Sequence, residues 1–415
     1  MEIALLPIFF FIALIVYSLR TRRFDLGFFA LLLLTLFAIC STLFYFHPHF
    51  PETMHFGKPS YEASIYLFGI YLIWLFPILR FGNENYSKIM VNEYKVLILS
   101  YFLIVVSLVF SILLIPEAIK GYNVKDLAEH KDLVMSKGQR YTSSFFSLFV
   151  LSYAYLKQII VVLFFYVLCF MRKRRMVLYG LGFSAIIPIV LQTVAMSHRF
   201  LLTHLAIQIL ISFLIFRKFL PGRVLRIIYL AGLFFVAFFS YVIVDFSYKR
   251  FENNDSVDPN FFLLKYCGEG FVNFNILMYD HCDRLYDGNN SFPLVNQVLG
   301  LDYSKSNQET RKLNVHFPTF LFYSFVGDFV SDLGRTWTFL FSVVISFWIL
   351  ATTSKRKQKK RISLSQVLLI YLIANLCLSG VFYSPYITLV GNMSIVSFIL
   401  VYLWFKYRFI TSHDR

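Results

Sequence analysis

Apolar residues along this chain fall in long unbroken blocks, not in stripes of helical or strand period. A helix of about 20 apolar residues matches the ~30 Å hydrocarbon thickness of a bilayer. The blocks predict membrane-spanning helices at 5–19, 26–46, 61–79, 96–115, 149–171, 177–196, 200–216, 225–246, 337–351, 364–382 and 387–405, about eleven in all. None shows the dyad alternation of a barrel strand, so the predicted fold class is an all-α polytopic membrane protein with a single transmembrane domain over 1–415. The first block has no basic region ahead of it and is followed by "RTRR" instead of a small-residue cleavage site, which predicts a retained span.

Polar residues gather in two long intervals. Residues 116–144 ("PEAIKGYNVKDLAEHKDLVMSKGQRYTSS") predict a short amphipathic helix with loops. Residues 247–334 form the larger interval and contain "NFFLLKYCGEGFVNFNILMYD", whose aromatic and Leu content predicts a helix lying in the membrane interface. No internal repeat and no matched pair of broken helices, the marks of many secondary transporters, is visible. A transporter keeps its loops short, whereas an enzyme acting on a membrane-bound substrate needs a roof over its site. These intervals predict such a roof.

Charge then sets the orientation. Only 15% of residues are charged and 58% are hydrophobic, yet the formal net charge is +16. Alternate connections, namely "RTRR", 80–95, "RKRR", "RKFLPGRVLR", "SKRKQKKR" and the C-terminal tail, hold 23 of the 39 Lys and Arg. By the positive-inside rule these face the cytoplasm. The interval 247–334 carries seven basic and eleven acidic residues, and falls on the other side. The N-terminus is therefore expected outside and the C-terminus inside. The excess charge is explained by topology and anionic inner-leaflet lipid, and nucleic acid is not an expected partner.

Against this background a few residues stand out. Arg199, in "TVAMSHRFLLTHLA", sits in a short connection on the side where topology supplies no reason for a cation. With Ser197 as N-cap it lies in the first turn of the next helix, where free N–H groups, the dipole and a guanidinium together suit a phosphate or pyrophosphate. The alternative is an interfacial arginine reaching up to lipid phosphate. His204 and Gln208, farther along, suit an interhelical hydrogen bond. Lys157 interrupts an apolar span at a cost of about 3 kcal/mol near the centre, so it is expected to face protein or a cavity, as a substrate contact or paired with Asp245. Lys249 and Arg250, in "VDFSYKRF", are either solvated charges at a helix end or a second cationic wall opposite Arg199.

The segment "NVHFPTFLFYSFVGDFVSDLGRTW" is too broken by Gly and Asp for a plain span, and predicts a re-entrant or half-buried helix over a cavity. His316 would sit at its mouth, either as a general base toward a sugar hydroxyl or as a loop histidine bonded to backbone. Glu269, Arg284, Asp328, Tyr266 and Phe271 are further candidate substrate contacts from 247–334. Of the five cysteines, Cys40, Cys169 and Cys377 lie in apolar blocks. Cys267 and Cys282 fall in the long interval, where a disulfide would need an oxidising compartment; with no Cys-x-x-Cys spacing, unpaired thiols are expected. Asn85 and Asn289 match the glycosylation pattern. There is no phosphate-cradling Gly-rich loop, His-Glu-x-x-His or Gly-x-Ser-x-Gly, which disfavours ATP-driven work and the commoner hydrolase chemistries.

Taken together, the many spans, the arginine turn "SHRFLL" and the large late interval resemble the Wzy-type polymerases of O-antigen and related bacterial surface polysaccharides, and their relatives the O-antigen ligases. His316 and Gly327 keep the His-to-Gly count of the ligases, while Phe317 and Val330 depart from the ligase pattern. The resemblance implies a fold similar to the GT-C class and a glycosyltransferase at the outer face of the bacterial cytoplasmic membrane, working without metal, cofactor or nucleotide sugar. Its donor would be a growing glycan on undecaprenyl pyrophosphate and its acceptor one lipid-linked repeat unit, with a chain-length regulator as a candidate protein partner and membrane lipids around it. In that setting Arg199, Arg250 and Lys157 would hold pyrophosphate, Lys249 would support them, His316 would deprotonate or orient the acceptor hydroxyl, and Tyr266 and Phe271 would stack on sugars. The alternatives are a ligase transferring finished polymer to lipid A, and a flippase or transporter of lipid-linked oligosaccharide.

Overall fold

The computed structural model describes residues 2–22, 24–48, 50, 58–81, 86–122, 144–196, 200–232, 234, 259–281, 286, 288–301, 322–354 and 361–407. Helices α1 (Leu5–Thr21), α2 (Leu26–Tyr45) and α3 (Tyr61–Arg80) lead to strand β1 (Lys88–Met90) and helices α4 (Glu93–Tyr122), α5 (Ser144–Phe170), α6 (Arg175–Met196) and α7 (Phe200–Phe216). The later part holds α8 (Pro259–Asn273), α9 (Pro293–Val298), α10 (Ser324–Leu333), α11 (Arg335–Ser354), strand β2 (Arg361–Ser363), α12 (Leu364–Ser379) and α13 (Thr388–Lys406). Helix α8 runs on through a π turn, Phe274–Met278, to a last turn at Tyr279–His281.

Among the described residues nine helices are long and apolar enough to cross a membrane, corresponding to α1 to α7, α11 and α13. The chain is an all-α polytopic membrane protein. Nine of the eleven expected spans are matched to within a few residues at most ends, and two differ. The block 364–382 gives the 16-residue α12, which stops at Ser379 because the chain must turn at Gly380 before Pro385. Of the block 225–246, residues 225–232 and 234 are described and are helical, and the rest lies outside the described residues. The interval 116–144 also shrinks, since α4 continues through Pro116 to Tyr122.

The chain divides into two compact units. The first comprises residues 1–86, 256–360 and 372–395. Its helix starts are capped as the sequence allows: Asp25 accepts from Phe28 N–H at 3.1 Å, while the Tyr17 hydroxyl donates to both of its oxygens at 2.9 and 3.0 Å. Hydrophobic burial gives no net attraction between helices in lipid, so packing and interhelical hydrogen bonds must hold them. Here α3 and α11 are tied by Trp74 Nε1 to Ser342 Oγ at 2.8 Å, Ser346 Oγ to the Ile73 carbonyl at 2.6 Å and the Tyr66 hydroxyl to the Arg335 carbonyl at 2.6 Å.

The second unit comprises residues 87–255, 361–371 and 396–415. Helices α4 to α7 pack together there, with Phe110 stacked on Tyr153 at 4.5 Å and the Tyr153 hydroxyl bonded to the Ser184 carbonyl at 3.3 Å. Strand β1 pairs in parallel with β2, Ile89 opposite Ile362. The Lys95 ammonium donates to the Trp404 and Tyr407 carbonyls at 2.6 and 2.5 Å, so a cation closes the carbonyl end of α13.

Candidate functional site

The first unit gathers most of the described polar candidates, and it does so on α8. Each face of that helix has a different neighbour. One face meets α2: Phe261, Val272, Ile276 and Leu277 form a buried cluster with Phe44 and Phe50, and the Ser41 hydroxyl donates to the Gly268 carbonyl at 3.1 Å. A Cβ at Gly268 would lie 2.6 Å from the Ser41 backbone, so glycine is what lets the two helices touch. A second face meets the turn after α12, where a Cβ at Gly270 would collide with the Val381 carbonyl. The two glycines of "GEG" are therefore contact points of two packed surfaces. The described apolar residues Phe261, Val272, Ile276 and Leu277 of α8 cover protein.

The third face of α8 carries Lys265, Tyr266, Glu269 and Asn273, spaced three and four apart so that they form one stripe. Lys265 and Tyr266 are half-buried, whereas Glu269 and Asn273 are buried. Tyr266 lies against Phe382 and Phe322, with ring centroids at 5.3 and 5.9 Å, and Phe322 stacks on Tyr383 at 5.9 Å. The Asn273 amide donates to the Phe322 carbonyl at 3.0 Å and, more weakly, to Glu269 at 3.4 Å. Burial pushes the Glu269 carboxyl up to about 7, against the opposing pull of the Lys265 charge and the Asn273 hydrogen bond.

Helix α10 plays a different part. Residues 324–332 are all buried, so this is an internal helix, not the half-buried one expected over a cavity. Its free N-terminal donors are met by the turn after α12: Ser324 N–H bonds to the Phe382 carbonyl at 3.0 Å and Phe325 N–H to the Gly380 carbonyl at 2.6 Å. Two carboxylates one turn apart then clamp two loops. Asp328 accepts from Ser384 N–H at 2.6 Å and from the Asn290 amide at 3.1 Å. Asp332 accepts from Ser291 and Asn290 N–H at 2.6 and 3.1 Å. Asn392 completes the clamp by donating to the Ser291 and Tyr386 carbonyls, each at 2.8 Å. Burial raises Asp328 to about 7 and Asp332 to about 6, opposed by these same donors.

The sequence candidates thus separate. Tyr266 and Glu269 come together on one stripe. Phe271, expected as a sugar platform, is 2% exposed and packed against Phe10 of α1 and Tyr71 of α3 at 6.2 and 5.4 Å, so its ring face is covered by protein. Asp328, expected as a substrate contact, has both oxygens engaged by the protein. Lys157 lies within α5, part-exposed, with no hydrogen bond or ion pair among the described residues. Arg199, Lys249, Arg250, Arg284 and His316 lie outside the described residues, as does Asp245. Sequence reasoning misses Lys265, Asn273, Asp332, Asn290 and Asn392; of these only Lys265 and Asn273 carry a legible signal, their i, i±4 spacing about Glu269.

Among the described residues no group of three or more His, Cys, Asp or Glu is placed to hold a metal ion. Cys267 is a free thiol within hydrogen-bonding reach of Cys40 on α2, also free, while Cys282 lies outside the described residues. A bifunctional thiol reagent that fluoresces only when it bridges two sulfurs is expected to label the protein and its Cys282→Ala variant. It should fail with Cys40→Ala and with Cys267→Ala. Equal fluorescence from those two variants would contradict the packing of α8 on α2.

Comparison of the chain with protein-family models, curated proteins and solved structures gives no match.

Proposed function

We propose that this chain is a membrane glycosyltransferase that polymerises repeat units carried on undecaprenyl pyrophosphate into a surface polysaccharide at the outer face of the bacterial cytoplasmic membrane. The observation that carries the reading is the folded layer α8 to α10. The described residues of the long polar interval contribute a buried acid, a lysine and an aromatic group to one stripe beside a carboxylate-clamped core. A pure conduit has no need of such a layer, whereas glycosyl transfer needs a place to hold sugar and move a proton.

In this reading 225–246 and the shorter α12 complete eleven spans, the architecture is GT-C-like, and the basic connections lie in the cytoplasm. Arg199 and Arg250, with Lys157 and Lys249 behind them, hold the departing pyrophosphate and stabilise charge that develops as the sugar leaves. His316 deprotonates or orients the acceptor hydroxyl. No metal or nucleotide sugar is required, because the donor already carries its leaving group.

One observation favours a second reading. Lys157, unpaired among the described residues and inside a span, is the kind of residue that lines a path for an anionic lipid headgroup, as in a flippase. Deleting the gene separates the possibilities. Loss of a polymerase leaves single-repeat glycans on the cell surface. Loss of a ligase leaves polymer accumulated on its carrier, and loss of a flippase leaves unextended units at the cytoplasmic face; either result would overturn the proposal.

A further inference from the structure

The four described carboxyl groups buried in the first unit, Asp25, Glu269, Asp328 and Asp332, are not equivalent, and their difference carries the inference. Asp25 caps α2 and accepts from Phe28 N–H and the Tyr17 hydroxyl. Asp328 and Asp332 each accept two hydrogen bonds, at least one from a backbone N–H at 2.6 Å, and each holds a loop in place. Glu269 is as deeply buried, at 4% exposure, yet among the described residues its one hydrogen-bond donor is the Asn273 amide at 3.4 Å. That amide is better spent on the Phe322 carbonyl at 3.0 Å. A buried carboxyl with so little compensation costs stability and contributes no clamp.

The place of Glu269 is also defined. Gly268 and Gly270 bring the α8 backbone close to α2 and to the turn after α12, which sets the face on which Glu269 stands. On its own face it adjoins Lys265 and Tyr266, and Tyr266 belongs to an aromatic group with Phe322, Phe382 and Tyr383. Lys265, Tyr266, Phe322 and Tyr383 are half-buried, so the stripe passes from a partly open aromatic and cationic rim to a closed acid. Ring faces of that kind suit the apolar C–H face of a sugar, and the acid behind them suits its hydroxyl.

We propose that Glu269 accepts the proton of the acceptor hydroxyl in glycosyl transfer, a step that rests on the glycosyltransferase reading above. The acceptor oxygen forms its bond to the anomeric carbon of the donor sugar as its proton passes to a Glu269 oxygen. The bond from that carbon to the pyrophosphate oxygen breaks, and its electron pair stays on the pyrophosphate. Glu269 then returns the proton to water. In this scheme His316 orients the hydroxyl and does not take its proton.

The titration of Glu269 suits a proton acceptor. Held near 7 by burial, the carboxyl is ionised above that pH and ready to take a proton, and is disabled by protonation below it. Among the described residues the titratable neighbours are Lys265, Tyr266 and Cys267 on α8, with Cys40 of α2 against Cys267, and Tyr383 and Asp328 beyond Tyr266. The Lys265 charge and, less strongly, the Asn273 hydrogen bond pull its pKa down.

The test uses full-length protein in liposomes supplied with lipid-linked repeat units. Wild type is expected to lose elongation about tenfold per pH unit below about 7. Glu269→Gln is expected to lose about 10²-fold or more at neutral pH, with its residual rate flat across that range, and to unfold at or above the wild-type temperature. The acid limb should persist in His316→Ala. Glu269→Gln elongating at the wild-type rate, or an acid limb that vanishes in His316→Ala instead, overturns the proposal while leaving the glycosyltransferase reading standing. A folded wild type that elongates nothing overturns both. Should Glu269→Gln fail to accumulate, Glu269→Asp decides: a displaced acid limb supports the proposal, and an unmoved limb contradicts it.

Discussion

Replacing Arg199 or Arg250 by alanine is expected to lower elongation on the order of 10²- to 10³-fold, the scale seen when one preorganised donor to a developing anion is removed. The physical case is strongest for Arg199, one of the three residues between the end of α6 at Met196 and the start of α7 at Phe200. A helix start offers unpaired N–H groups and the positive end of the dipole, and a guanidinium beside it can grip two phosphate oxygens at once. Arg199→Lys keeps the charge but not the fork, and should recover only part of the rate. The measurement is elongation by variants that insert and accumulate like wild type. Normal long-chain glycan from Arg199→Ala and Arg250→Ala would place the anion site elsewhere.

The largest expected effect on stability belongs to Asp332. Its two oxygens serve the adjacent N–H groups of Asn290 and Ser291 inside the first unit, and Asp332→Ala would strand both donors. At roughly 1–3 kcal/mol for each buried group left unsatisfied, the loss is on the order of 3 kcal/mol. Asp332→Asn retains one acceptor oxygen and should lose less. Thermal unfolding of the purified protein in detergent reads the difference, and an unchanged midpoint in Asp332→Ala would show that the clamp does not hold the loop. Glu269→Gln serves as the contrast, since removing that charge breaks no strong hydrogen bond.

These two residues also show what a sequence can and cannot display. Spans such as α2 and α4 are legible because a block of apolar residues is its own signal, and a bilayer demands little else. The block 364–382 misleads because hydropathy counts Gly380 to Phe382 as apolar, whereas the Gly380 and Phe382 carbonyls are used to satisfy the start of α10. The apolar surface of α8 reads alike whether it will face lipid or α2. The glycines flanking Glu269 are the available hint that backbone comes close on both sides.

The clamp is harder still to see. Asp332 reaches back 41 and 42 residues, and Asp328 reaches forward 56, to loops whose Ser and Asn have no periodicity. In the sequence these acids are visible only as interruptions of an apolar run, which is why Asp328 reads as a substrate contact. By contrast, Lys265, Glu269 and Asn273 at four-residue spacing form a polar stripe on any helix, and the fold places aromatic rings against it.

If the proposed function holds, the chain itself joins sugar to sugar on a lipid carrier, with no other enzyme present. Purified protein reconstituted in liposomes with a single species of lipid-linked repeat unit, and no nucleotide, nucleotide sugar or added divalent metal, puts this to trial. The expected product is a ladder of glycans lengthened by whole repeat units, with free undecaprenyl pyrophosphate released in step. Movement of the repeat unit between leaflets with no change in its length would contradict it.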